Sequence, residues 1–154
     1  MEPRVIQGLD ELRTLVGQRL GTSDWLEITQ ARVDAFADGT DDHQWIHCDP
    51  ERAKRESPYG GTVAHGFLTL SLCNVLSQQV FRIEQVRMVL NYGLNRVRFP
   101  GPVRVGSRIR MASDLLEVKE TRSGVQMVCK QTFEVEGEAK PACIAETVVR
   151  LFFT

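Results

Sequence analysis

The chain has 154 residues, 42% hydrophobic content and a net charge of −1 from 19 basic and 20 acidic residues. That length suits a single domain, residues 1–154, with its own core, and the balanced charge argues against a nucleic-acid surface or a charged disordered tail. Its longest nearly apolar stretch, Gly66 to Leu76, carries Thr69, Ser71 and Asn74 and falls well short of the ~20 residues that span a bilayer, so no membrane partner is expected.

The opening Met1-Glu2-Pro3-Arg4 leads into polar sequence without an apolar signal core, which makes the cytoplasm the expected compartment. Residues 8–20 place Leu12, Leu15, Val16 and Leu20 at helical spacing, with Gly21 as a stop. Trp25 to Ile28 is a short strand candidate. Thr29 can then cap a helix running to about Ala37, with Val33 and Phe36 on one face, ending at Asp38-Gly39. Asp49-Pro50-Glu51 supplies a capping acid, a first-turn proline and a first-turn carboxylate for a helix over 50–56.

After the turn-rich Ser57-Pro58-Tyr59-Gly60-Gly61, the periodicity of 67–80 is ambiguous: Leu68, Leu70 and Leu72 alternate as in a strand, but the apolar positions nearly circle a helix. Length decides for a buried helix, the expected centre of the core. From about Gln85 the pattern changes to alternation, over 86–92, 96–99, 108–111, 125–135 and 143–153, with turns at Arg122-Ser123-Gly124 and Gly137. Helices followed by antiparallel strands indicate an α+β fold. Cys48, Cys73, Cys129 and Cys143 form no CxxC pair, and the last two fall on apolar strand faces, where a reduced thiol acts as a small hydrophobe.

Residues 39–49 crowd acids, two histidines and a tryptophan between two helices. Asp42 and His47 are five apart and would not share a helical face, so a loop is expected to bring them together; a carboxylate beside an imidazole can hold and activate one water molecule. Asp41 is the rival carboxylate, more in keeping with a solvated turn. His43 and His47, four apart, could place two metal ligands on a helix face, but HExxH is absent and no third ligand suggests itself, so neither metal nor cofactor is expected. Trp45 is read as an anchoring core side chain.

This stretch, followed by Gly61-Thr62-Val63-Ala64-His65-Gly66-Phe67-Leu68-Thr69 and Asn91-Tyr92-Gly93-Leu94-Asn95-Arg96-Val97-Arg98-Phe99-Pro100, resembles the MaoC-like dehydratase family over nearly the whole chain. The family's Asp-x-Asn-Pro-x-His motif is matched by Asp42, Gln44, Trp45 and His47, with Asp and His kept and Asn-Pro replaced, as in the NodN-like branch. The resemblance implies a hot-dog fold, a curved antiparallel sheet wrapped around a central helix, and a homodimer. It further implies reversible syn hydration of a trans-2-enoyl-CoA to the (R)-3-hydroxyacyl-CoA. Asp42 and His47 would activate water, and the Gly66 backbone N–H would polarise the thioester carbonyl. His65 and Gln44 would lie against the substrate, His65 also as a structural partner of the loop. Arg98 and Arg104, in the most basic region, are candidates for the phosphates of the acyl-CoA partner, although arginines on a strand's wet side need no ligand to explain them. Alternatives are a hot-dog acyl-CoA thioesterase, which can work with one carboxylate, and a non-catalytic acyl-binding protein.

Overall fold

The computed structural model describes residues 2–154. Its first elements are β1 (Arg4–Ile6), α1 (Gly8–Thr14), β2 (Arg19–Thr22), β3 (Leu26–Glu27) and α2 (Gln30–Thr40). The helix expected over 8–20 stops at Thr14 because residues 19–22 pair with the distant Ala112–Asp114 segment, a tertiary contact that overrides local spacing. Thr29 caps α2 as expected, accepting from Arg32 N–H at 3.1 Å. That helix runs past Gly39 to Thr40 and is stopped by Asp41 in the left-handed region at φ 59°, a conformation aspartate tolerates.

Next come α3 (Trp45–Cys48), α4 (Pro50–Glu56), α5 (Gly66–Ser71) and α6 (Cys73–Val80). Asp49 caps α4 by accepting from Arg52 N–H at 3.0 Å, with Pro50 in the first turn. The central helix forms as the length of its segment indicates, but as two pieces. Leu72 N–H is shared between the Leu68 and Thr69 carbonyls, both at 3.2 Å, which tightens the backbone where α5 meets α6. Leu68, Leu72, Leu76 and Val80, each four residues apart, make one buried stripe. The first three pack with Ile109, Met111, Phe133 and Ala145. Val80 joins a second cluster with Ile6, Leu12, Leu115, Met127 and Leu151.

The strands are β4 (Phe81–Ile83), parallel to β1, then β5 (Val86–Arg98), β6 (Arg108–Thr121), β7 (Gly124–Val135) and β8 (Cys143–Phe153). The main sheet is antiparallel in the order β2-β6-β7-β8-β5, with β3 also on β6. Register shifts in β2/β6, β6/β7 and three places along β5/β8 bend it. Curved around α5 and α6, it is the hot-dog arrangement. The odd-numbered residues from Val125 to Val135 are buried, as their alternation predicts, and burial pushes the thiols of Cys129 and Cys143 up to about 12.

Two expectations about β5 change. Residues 86–98 are one strand, and only its ends, at Val86 and Val97, pack on the core; between them it lacks a dry side, with Val89, Leu90, Tyr92 and Leu94 all exposed. The strand is the sheet's edge, and a groove of about 740 Å³ separates it from the central helix. Among the described residues no helix is long and apolar enough to cross a membrane.

Candidate active site

Asp42 and His47 are brought together by a short helical turn instead of an open loop. Asp42 Oδ1 accepts from Gln44 N–H at 3.4 Å, and the Gln44 carbonyl accepts from His47 N–H at 2.9 Å, so the backbone reverses within five residues and α3 carries His47 back. Segment 62–64 locks this turn. Val63 N–H donates to the Ile46 carbonyl at 3.0 Å, while its own carbonyl accepts from His47 Nδ1–H at 2.6 Å. The segment is in turn pinned to residues 103–105 by Ala64 N–H to Val103 O and Val105 N–H to Thr62 O.

One residue here has no signature in the sequence. Gln30, at the start of α2, donates from Nε2 to the His47 carbonyl at 2.7 Å and accepts the Thr62 hydroxyl at Oε1 at 2.6 Å. Its partners are 17 and 32 positions away, and no local pattern marks such a bridge.

The hydrogen bonds also assign the imidazole protons. A carbonyl only accepts, so His47 carries its proton on Nδ1 toward Val63 O and, when neutral, leaves a lone pair on Nε2. By the same argument His65 carries its proton on Nε2, which donates to the Asp42 main-chain carbonyl at 3.0 Å. The two rings stack with centroids 3.8 Å apart and 24° between planes, and Phe36 lies 4.9 Å from His65, tilted by 54°. Both histidines are buried, whereas the Asp42 side chain is 54% exposed and brings Oδ2 to 3.9 Å from His65 Nε2. Burial is the main influence on His47 and lowers its pKa, opposed by the Val63 hydrogen bond, reinforced by His65 and opposed by Asp42.

Asp42, His47 and His65 offer one donor atom each, all within 4.8 Å of one another, a third-ligand arrangement that the sequence did not suggest. His47 Nδ1 and His65 Nε2 are engaged with main-chain carbonyls, which leaves His47 Nε2, His65 Nδ1 and the Asp42 carboxylate as the atoms a cation could meet without breaking an existing bond. His43 is not part of the cluster: it pairs with Asp38 at 2.8 Å on the surface. Trp45 is half-buried beneath the Arg52 guanidinium, 4.3 Å from its ring, and is not a core anchor.

The other candidates are spread around this centre. Gly66 opens α5 beside His65; a Cβ there would meet the Phe99 ring at 3.2 Å, and its N–H, in the first helical turn, has no intrahelical acceptor. Gln44 contributes its backbone to the turn. Arg98 is exposed and donates to the Val97 carbonyl at 2.7 Å, whereas Arg104 donates to the Tyr59 carbonyl at 3.1 Å and pairs with Glu138 at 3.5 Å. The groove begins one turn beyond Gly66, at Leu70 and Ser71, and continues past Asn74 and Ser77 toward Phe81.

The chain is similar in sequence and fold to proteins already known. A family model described as MaoC like domain matches residues 11–137. The chain is 51% identical over 148 residues to 3-hydroxyacyl-thioester dehydratase Z of Mycobacterium tuberculosis, covering 96% of this chain and 97% of that protein. It is 46% identical over 142 residues to nodulation protein N of Rhizobium meliloti, covering 91% and 88%. A MaoC-like dehydratase from Rhodospirillum rubrum superposes with a TM-score of 0.73 at 23% identity over 90% of this chain and 93% of that one. An (R)-hydratase from A. caviae gives 0.72 at 24% identity over 89% and 96%. With a family match over most of the chain and near-full-length relatives, this chain belongs to the MaoC-like dehydratase family, and to the hydro-lyases with it.

Proposed function

We propose that the protein is an (R)-specific enoyl-CoA hydratase/dehydratase, adding water reversibly and syn to a trans-2-enoyl-CoA. The observation that carries this reading is a carboxylate and an imidazole held within 4.8 Å of one another, the imidazole with its Nδ1 proton committed to Val63. A water molecule between them can hydrogen-bond to both. Asp42 orients it, and the free Nε2 lone pair of His47 takes its proton as the oxygen attacks C3. The proton returns to C2 from the same side, which makes the addition syn. Negative charge that builds on the thioester oxygen is met by Gly66 N–H at the helix start, where glycine permits close approach. Dehydration runs the same steps in reverse.

The name of the relative at 51% identity, a 3-hydroxyacyl-thioester dehydratase, supports a thioester substrate. The acyl chain would run into the groove along α5 and α6. Arg98, exposed near Phe99 and Gly66, is better placed for a phosphate of coenzyme A than Arg104, which is tied to Glu138. The test is an assay in which purified protein should remove the absorbance of a conjugated enoyl-CoA without releasing free thiol. Thiol at the same rate would establish a thioesterase instead, and neither signal, with binding retained, an acyl-binding protein.

We further infer a homodimer joined through β5. The support is an edge strand with Val89, Leu90, Tyr92 and Leu94 all exposed and its outer backbone edge without a neighbour in the sheet, a combination that invites pairing with a second copy. Sedimentation should show a dimer at micromolar concentration; a stable, fully active monomer would rule it out.

A further inference from the structure

We propose that His65 is a positioning residue through which the two reacting groups are fixed relative to each other. One imidazole, with its proton on Nε2, holds the main chain of Asp42 and sets the ring plane of His47. The inference rests on the hydratase reading for its kinetic consequence but on hydrogen-bond geometry for its structure.

Asp42 lies in the stretch 41–44, whose residues are all exposed, between the end of α2 and the start of α3. The His65 bond to its carbonyl, 3.0 Å long, ties this stretch to the buried segment 62–65. The same ring lies against His47 at 3.8 Å, and His47 cannot rotate without breaking its bond to Val63. Phe36 contacts His65 from α2, so the ring is held by neighbours from two elements. His65 Nδ1 is buried and has no hydrogen-bond partner, so a proton there would be a donor without an acceptor; of the two tautomers this selects the one with hydrogen on Nε2. At 4% exposure His65 is a support beneath the dyad, whose exposed member is Asp42.

The two properties of this side chain can be separated by substitution. His65→Phe keeps an aromatic face against His47 and loses the donor to Asp42, while His65→Gln keeps an N–H donor and loses the ring face. Misplacing a reacting group by about 1 Å can cost about 10²-fold in rate, so His65→Phe should lower kcat by about that factor with KM changed by less than about threefold. His65→Gln should recover part of the loss. Adding Asp42→Asn to His65→Phe should cost much less than the product of the two single effects, because His65 acts through Asp42. A purely structural role would instead appear as multiplicative defects, with no coupling between the two substitutions.

Imidazole ¹⁵N NMR of the unsubstituted protein tests the geometry without activity: His65 should show its proton on Nε2 and His47 on Nδ1. A proton on His65 Nδ1, or a folded His65→Phe enzyme with unchanged kcat, would overturn the proposal. If His65→Phe fails to fold, the NMR assignment and the His65→Gln kinetics decide. If the unsubstituted enzyme hydrates no enoyl thioester, the hydratase reading falls and the NMR assignment alone decides the placement of His65.

Discussion

His47 must be neutral to accept a proton, and its buried ring, stacked on a second imidazole, has a pKa below the ordinary histidine value. Hydration should therefore persist to more acidic pH than an exposed histidine at about 6.5 would allow, then fall as the site protonates. The apparent pKa of that acid limb belongs to the Asp42/His47 pair. A profile with no acid limb at all, or one whose limb lies above the ordinary histidine value of about 6.5, with chemistry rate-limiting, would contradict the mechanism. The same lowering has a sign for stability: since the unfolded chain binds this proton more readily, the contribution is complete above the unfolded pKa and is lost as pH falls through the folded one. Asp42→Asn and His47→Gln should each lower the hydration rate by orders of magnitude, because groups acting as a unit lose most of their effect when either is removed. The motif register was enough to single out these two residues. It could not show that His47 sits on a helical turn, that Gln30 grips its carbonyl or that His65 underlies it, because those contacts join positions 17 to 23 apart and depend on how segment 62–65 docks.

Among the elements, α5 and α6 carry the packing. Leu76 is completely buried against the sheet, and Leu76→Ala should destabilise the protein by about 2–5 kcal/mol, read by denaturant unfolding. The adjacent Val75 is 46% exposed, and Val75→Ala should change stability by no more than about 0.5 kcal/mol. The contrast follows from a stripe repeating every four residues, not the two-residue alternation of Leu68, Leu70 and Leu72. The helix itself was legible from the length of its apolar segment, α2 and α4 from their capping residues, and β7 from its parity. The end of α1 was not, because β2 is made by pairing with the distant residues 112–114, a preference that local spacing does not carry. The break at Leu72 was equally hidden, since it arises from a shared backbone donor and not from a glycine or proline.

For the molecule as a whole, the exposed apolar edge at β5 makes assembly the natural test. Leu90→Lys should shift the protein toward monomer in sedimentation while its far-ultraviolet circular dichroism stays the same, because Leu90 is already half-exposed in the single chain. Alternation along 86–92 predicted a strand but not its place in the sheet, so the sequence pattern could not reveal that both its faces would be open. The order β7-β8-β5 carries a consequence for how the chain reaches this state. Strand β8 inserts between two strands made before it, and β5 has no other neighbour in the sheet. During synthesis, at about 5–20 residues per second, β5 waits several seconds for residues 143–153 with both edges unpaired. The β6/β7 hairpin can form early, but closure of the fold belongs to β8. Chains released before residue 143 should accordingly aggregate through β5, and a synonymous slowing of translation just ahead of that point should lower the yield of soluble protein without altering a single contact in the finished molecule.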